Sequence, residues 1–232
     1  MRGPLLLMMG SLVVVLVLLG ALSWLSHETH TTGDLSVYCA AGLRGPVDAV
    51  AAQYEKEYGV SIEFQYGGSQ TLLSQLEINQ EGRADVYIAG DAFYVELAKE
   101  KGIGKEVLPI AEMRPVLAVQ PGNPKSITSV ADLLRGDVRT ALGNPEQAAI
   151  GKVVKDVLTA SNEWEPLFSH VTAGGVFKPT VNEVANDVKI GAVDAGIIWN
   201  SVAAMPEYKE AITAIPLEAF EEASNLVSLS VL

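Results

Sequence analysis

Four strand-to-helix junctions carry the residue types that bind small anions. Each one joins the end of a predicted strand, through small residues, to the start of a predicted helix. The first amide groups of a helix have no partner inside it and carry a partial positive charge, so they attract anions. Because ligands of α/β proteins bind beyond the carboxyl ends of strands, four such starts can face one cleft. The junctions are 39–46 (CAAGLRGP), 66–71 (YGGSQT), 143–151 (GNPEQAAIG) and 179–188 (PTVNEVANDV).

The second and fourth junctions carry recognisable helix-start signals. Gly67 and Gly68 permit backbone angles closed to other residues, and Ser69 is a preferred N-cap. Thr180 and Glu183 form a capping box ahead of a helical run. Each junction alone fits two interpretations, a well-capped helix or the floor of an anion site. The apolar stripe of the helix after Ser69 is Leu72, Leu73 and Leu76.

No enzymatic motif accompanies these junctions. The sequence has no GxxxxGK[ST] phosphate loop, no GxSxG elbow, no HExxH and no CxxC pair. The clustered acids Glu221 and Glu222 are most simply solvated surface. We therefore predict a binding protein that is not an enzyme and has no cofactor and no resident metal ion.

The single cysteine is predicted to be structural. Cys39 alternates with Leu35 and Val37 on a predicted strand, where a thiol behaves as a small buried hydrophobe. A catalytic thiol needs a histidine partner, and two of the three histidines, His27 and His30, lie in the predicted linker. One cysteine also excludes an internal disulfide.

Composition and charge limit the classes to which this protein can belong. The 232 residues are 49% hydrophobic and 19% charged, which is typical of a folded chain long enough for two lobes of roughly 100 residues each. The formal net charge is −12, and no cluster of Lys and Arg with interleaved aromatics occurs. A general nucleic-acid binder needs a basic surface, so that class is excluded.

The N-terminus differs from the rest of the chain. The segment 4–25 carries no charge and follows a single Arg2, which is the pattern of an export signal. It is also long enough to span a bilayer. We predict that residues 1–33 are a signal peptide or a membrane anchor with its linker. The remainder should lie in the periplasm or otherwise outside the cytoplasm, either released or tethered.

Strands and helices alternate after this segment. We predict strands at 35–40, 60–65 and 85–90, each followed by a helix; the first helix starts at Pro46 and ends at Gly59. Such a series indicates a largely parallel sheet. The buried stripe predicted for the first helix is Val47, Val50, Ala51, Tyr54 and Tyr58.

A second α/β unit is predicted after a crossing strand at 114–124. It contains a helix near 129–135, a strand at 138–142, a helix from about Ile150, a helix from Val181 and a strand at 195–199. This order of elements predicts two α/β lobes joined by crossing strands. We place lobe one at 34–115 and 216–232, and lobe two at 116–215.

The ordered motifs resemble the periplasmic molybdate-binding proteins, the solute-binding components of oxyanion-importing ABC transporters. The resemblance runs from about Leu35 to the C-terminus and is carried by CAAGLRGPVDAVAAQYEKEYGV, YGGSQTLLSQLE, ADVYIAGD, RPVLAVQPGNP, ALGNPEQAAIGKVVKDVL and PTVNEVANDVKIGAVDAGIIW. It implies a two-lobed periplasmic-binding-protein fold of type II, with a ligand cleft between the lobes. It also implies a monomer that captures molybdate or tungstate by hinge closure and delivers it to an ABC permease.

The resemblance implies a set of ligand-binding residues. Ser69 keeps the hydroxyl of the family's serine, while the family's backbone donors fall on Ile150 and Val181. Two positions depart from the family pattern. Gly42 stands where the family commonly has a serine, and Trp199 stands where it has a tyrosine.

Some alternatives stay open at this stage. Arg44 either supplies charge to the site or points to solvent. The ligand is molybdate or tungstate, or else sulfate, phosphate or an organic anion. A membrane-tethered sensor ectodomain is a further possibility. Because family members continue past the strand at 225–232 with further helices, we also expect part of lobe one to be uncovered.

Overall fold

The computed structural model describes residues 34–79 and 84–232. The predicted signal peptide or anchor, 1–33, lies outside the described residues. Within them, ten strands form two five-stranded sheets, and Leu35–Leu232 group as one compact unit. No helix among the described residues is long and apolar enough to cross a membrane.

The first sheet has the strand order β2-β1-β3-β10-β4. β1 pairs in parallel with β2 and β3, while β10 runs antiparallel to both β3 and β4. We call this sheet and its helices lobe one. Its elements are β1 (Leu35–Ala40), α1 (Arg44–Tyr58), β2 (Ile62–Gly67), α2 (Ser69–Ile78), β3 (Val86–Ala89), α3 (Ala92–Glu100), β4 (Val107–Met113) and β10 (Asn225–Val231).

The second sheet repeats this plan with the order β7-β6-β8-β5-β9. β6 pairs in parallel with β7 and β8, and β5 is the antiparallel strand. This sheet and its helices are lobe two. Its elements are β5 (Pro115–Val119), β6 (Thr140–Gly143), α4 (Ala149–Ala160), α5 (Trp164–Gly174), β7 (Val176–Lys178), α6 (Val181–Lys189), β8 (Ala195–Trp199), α7 (Asn200–Ala203), α8 (Pro206–Lys209) and β9 (Thr213–Pro216).

The predicted two-lobed α/β fold is confirmed. β4 leads directly into β5 and β9 leads towards β10, so the two crossings join sheets of the same topology. The carboxyl ends of β1, β2, β6 and β7 each feed a helix start, at Ala41, Ser69, Ala149 and Val181 respectively. The boundaries proposed for the lobes, at 115 and 216, stay predictions.

The packing predicted for α1 is wrong. None of its fifteen residues, all of them described, is fully buried. Val50 is 68% exposed and Tyr58 is 60% exposed, although both belong to the predicted apolar stripe. The helix itself forms and ends as predicted, because Gly59 adopts a left-handed φ of 70° at its C-terminus.

Other differences are local. The region predicted as a helix near 129–135 holds only a short 3₁₀ turn, Ala131–Leu134. The strand β4 and the helix α5 were not predicted. α5 packs its buried residues Trp164, Leu167 and Val171 into lobe two.

Candidate functional site

One small cavity brings together all five residues that the sequence indicated. Its volume of about 20 Å³ suits a small inorganic ion and is far below the volume of an organic-ligand pocket. Among the described residues, none with a charged side chain lines it. The lining residues are Ala40, Ala41, Gly42, Gly67, Gly68, Ser69, Gly90, Ala148, Ala149, Ile150, Thr180, Val181 and Trp199.

Ser69 is held in the cavity wall by neighbouring strands. Its hydroxyl oxygen accepts a hydrogen bond of 3.1 Å from the Gly90 amide, and its carbonyl accepts one of 2.7 Å from the Tyr87 hydroxyl. The predicted N-cap role is wrong, because α2 begins at Ser69 itself and its N-cap, Gly68, makes no side-chain bond. The hydroxyl hydrogen of Ser69 donates to no described group and is therefore available to a ligand.

A glycine is required at position 68 because the backbone there approaches other backbone atoms closely. It is not required for an unusual backbone angle. Its φ of −71° and ψ of 143° are open to any residue. A Cβ at this position would lie 2.4 Å from the carbonyl oxygen of Gln147 and 2.7 Å from that of Pro179. The Gln70 amide also donates to the Gln147 carbonyl at 3.2 Å. The start of α2 in lobe one therefore rests directly on the backbone of lobe two.

Two glycines bring the start of α4 against the end of β6. A Cβ on Gly151 would lie 2.4 Å from the Gly143 carbonyl oxygen, so only glycine fits there. The first intrahelical bond of α4 runs from the Lys152 amide to the Ala148 carbonyl, at 3.2 Å. The amides before Lys152, which include that of Ile150, have no partner within the helix. The sequence 148–151 thus presents backbone donors at the cavity.

The start of α6 is capped as predicted. The Thr180 hydroxyl oxygen accepts from the Glu183 amide at 3.3 Å, and the same hydroxyl donates to the Glu183 carboxylate at 2.9 Å. The Val184 amide makes the first intrahelical bond, to the Thr180 carbonyl. The amide of Val181 precedes it and has no partner within the helix.

The first junction brings backbone and no side-chain donor to the cavity. Gly42 lies in a short 3₁₀ turn, Ala41–Leu43, that leads into α1. Arg44 lies outside the cavity lining, with its guanidinium 4.3 Å from the centre of the Tyr66 ring. The Tyr66 hydroxyl donates to Asp48. Of the two possibilities that the sequence left open for Arg44, this geometry favours a place on the outer surface of lobe one.

Trp199 ends β8 and is 2% exposed. Its Cδ1 atom would lie 3.1 Å from a Cβ built on Gly42, so the edge of the indole that carries Nε1 faces the first junction. No group in the described part of the chain accepts the indole hydrogen. The indole therefore adds one unused donor to the cavity wall.

Cys39 is buried below the first junction and does not line the cavity. Burial, together with the charge of Asp48, raises the pKa of its thiol to about 12. At neutral pH the thiol stays protonated and is a poor nucleophile. The prediction of a buried structural cysteine is confirmed.

The cavity offers hydrogen-bond donors from two lobes without a full positive charge. Such a set can hold an oxyanion by neutral donors and helix-start dipoles. In residues 34–79 and 84–232, no three His, Cys, Asp or Glu side chains come together as a metal site needs. Sequence reasoning missed Gly90, whose amide fixes Ser69; its only signal was the small residue at the end of β3.

The family model for bacterial extracellular solute-binding proteins matches residues 35–224, most of the chain. The protein belongs to this family. The match includes every residue that lines the cavity.

Individual relatives agree with this family. The chain is 29% identical over 146 residues to the molybdate-binding protein ModA of Escherichia coli, covering 58% of this chain and 54% of the relative. The chain spans between about half and two thirds of the length of the first curated relatives that it matches.

Solved structures share the fold. The periplasmic molybdate-binding protein of Azotobacter vinelandii superposes with a TM-score of 0.69 at 20% identity, covering 85% of this chain and 84% of that one. The sulfate-binding protein SubI of Mycobacterium tuberculosis superposes with a TM-score of 0.68 at 15% identity, covering 86% and 75%. The resemblance inferred from the sequence motifs is confirmed.

Proposed function

We propose that this solute-binding protein captures a tetrahedral oxyanion, molybdate or tungstate, outside the cytoplasm and delivers it to an ABC importer. The observation that carries the proposal is the small cavity, walled by helix starts and a buried serine, with no charged side chain among its described lining residues. The relatives that are named molybdate-binding proteins support this choice of anion.

The proposed donors come from both lobes. Lobe one supplies the Ser69 hydroxyl and the backbone at Gly42. Lobe two supplies the amides of Ile150 and Val181 and the indole of Trp199. An anion that bridges the two sets binds best when the lobes are close, so it favours the closed state. The contact of Gly68 and Gln70 with Gln147 is the interlobe packing expected of that state.

The absence of full charges from the lining suits a protein of net charge −12. Amide and hydroxyl dipoles act over short distances, and they retain their effect when the overall field repels anions. Among tetrahedral oxyanions, the size of the cavity and the number of donors that reach the ligand then decide the preference. None of the described residues that line the cavity is a catalytic acid or base, and we propose binding without turnover.

The test is calorimetric titration of the purified full chain with molybdate, tungstate, sulfate and phosphate. We expect one-to-one binding of molybdate and tungstate that is at least tenfold tighter than that of sulfate or phosphate. Preferred binding of sulfate would select the second candidate, which the similar TM-score of the sulfate-binding protein supports. No binding of any of the four by a folded sample would contradict an oxyanion function.

Ser69→Ala tests the central residue of the proposed site. A hydrogen bond to a charged ligand is worth about 1.5–3 kcal/mol, so we expect molybdate affinity to fall roughly 10- to 150-fold. Ser74→Ala, on the same helix but outside the cavity lining, is the matched control and should bind normally. Normal binding by Ser69→Ala would remove Ser69 from the proposed ligand set.

A further inference from the structure

We propose that the Trp199 indole donates a hydrogen bond to the bound oxyanion, and that the missing side chain at Gly42 is what makes room for the indole. This inference rests on the proposed function. It explains the two departures from the family pattern, Gly42 and Trp199, as a single compensating change. The indole of Trp199 in lobe two replaces the hydroxyl that a serine at position 42 would supply from lobe one.

The first step of the argument is the state of the indole nitrogen. Trp199 is 2% exposed and lines the cavity, yet none of the described groups accepts its Nε1 hydrogen. The buried side-chain polar atoms without a partner in the described residues belong to Glu77 and Asn182, so the Trp199 nitrogen is not sealed off and can be reached from the cavity that the residue lines. A ligand oxygen in the cavity can therefore accept its hydrogen.

The second step is steric. A Cβ at Gly42 would lie 2.8 Å from Cγ1 of Val181 and 3.1 Å from Cδ1 of Trp199. Neither neighbour yields easily, because valine is stiff at χ1 within a helix and the indole is enclosed. A serine at position 42 would therefore have to displace Val181 and press against the edge of the indole, so the missing side chain gives the tryptophan its room.

The third step concerns the lobes. Gly42 belongs to lobe one, whereas Val181 and Trp199 belong to lobe two, so this contact crosses the cleft. The two side-chain donors of the site, Ser69 and Trp199, then stand on different lobes. An anion must touch both to satisfy them, which makes the indole a direct contributor to closure.

The test of the donor uses the indole signals of ¹⁵N-labelled full-length protein. Each tryptophan gives one Nε1–H resonance, and Trp199→Phe identifies the one of interest. We expect molybdate to move the Trp199 resonance and to leave that of Trp164 in place, since Trp164 is buried in lobe two away from the cavity. Trp199→Phe should bind molybdate at least tenfold more weakly, while the matched control Trp164→Phe stays within about twofold.

The test of the steric step uses two glycines near the start of α1. Gly42→Ala should weaken molybdate binding at least tenfold without lowering the thermal midpoint of the unliganded protein. Gly45→Ala is the control, because its Cβ would make only an ordinary contact of 3.5 Å with Met205. Gly42→Ala with unchanged affinity would overturn the matched-pair inference.

The outcomes separate the two proposals. If the wild type binds molybdate but the Trp199 resonance stays fixed and Trp199→Phe binds equally well, the indole inference is wrong and the proposed function stands. If the wild type binds none of molybdate, tungstate, sulfate and phosphate, the proposed function fails and the indole inference fails with it.

Discussion

Helix α1 of lobe one and helix α4 of lobe two differ both in sequence and in surroundings, because apolar residues gather on one face of α4 much more strongly than on any face of α1. α4 buries five residues, among them Ile150, Val154 and Leu158, against the second sheet and its neighbours. α1 fully buries none of its fifteen, all of which are described. Burial of a helix face requires both a concentrated apolar stripe, which is weak in α1, and a second surface that covers it.

In the part of the chain that the structure describes, the sheet beneath α1 also exposes apolar side chains. Strand register places Leu108, Ile88 and Leu229 on one face of the first sheet, together with Tyr66, which contacts α1 through Arg44. Leu108 is 43% exposed on this face, and Val231 is 38% exposed. Among the described residues, exposed large apolar side chains are therefore more numerous in lobe one than in lobe two.

The largest expected effect, on the free energy of unfolding, tests this contrast between the two helices. Leu158→Ala removes a fully buried side chain from α4 and leaves a cavity, so we expect a loss of about 2–5 kcal/mol in the free energy of unfolding. Val50→Ala on α1, at a side chain that is 68% exposed, should change it by less than about 0.5 kcal/mol. Urea unfolding at neutral pH measures both. Equal losses would mean that α1 is covered in solution.

The second largest expected effect comes from disturbing the contact between the two lobes. Gly68→Ala places a Cβ against two backbone carbonyls of lobe two, which cannot move aside easily. We expect molybdate affinity to fall at least tenfold, or about 1.4 kcal/mol, because the closed state is blocked. Small-angle scattering should show no contraction of the variant when the anion is added.

The control for this change is Gly136→Ala, where a Cβ would meet nothing within 4 Å. It should bind and contract like the wild type. If Gly68→Ala also binds normally, the contact between Gly68 and the Gln147 carbonyl does not limit closure.

The smallest effect probes the ion network of lobe two. Burial would raise the pKa of Asp194, but hydrogen bonds from Arg139 and Lys125 outweigh it and lower the pKa to about 2. A carboxylate with a lowered pKa stabilises the fold above its unfolded pKa of about 3.9, and this contribution is lost as the pH falls towards 2. Because Arg139 is half exposed, we expect the contribution to be only on the order of 1 kcal/mol.

Asp194→Asn checks this assignment. The variant should be less stable than the wild type at pH 7, and the difference should shrink between pH 4 and pH 2 in chemical unfolding experiments. A difference that is independent of pH over this range would show that the ionised carboxylate is not what stabilises the link between β6 and β8.

Local signals determined part of the candidate site, and the resemblance to the molybdate-binding proteins indicated the rest. The glycines before α2 and the cap of α6 were readable from local sequence. All five indicated residues line one cavity, and four of them were indicated by the resemblance: Gly42, Ile150, Val181 and Trp199. Local signals succeed because capping and backbone freedom depend on a few adjacent residues. The role of Ser69 was misjudged within this set, since its hydroxyl bonds to Gly90 on another strand and not to its own helix.

The sequence by itself determined the alternation of strands and helices, the cap at Thr180, and the left-handed end of α1 at Gly59, because each depends on neighbours along the chain. Tertiary structure alone decided that Gly68 would rest on carbonyls of lobe two and that Gly42 would face Trp199. These contacts join residues about 80 to 160 positions apart in the chain. The energies of these contacts depend on how the two sheets pack together. A local sequence pattern does not specify that packing.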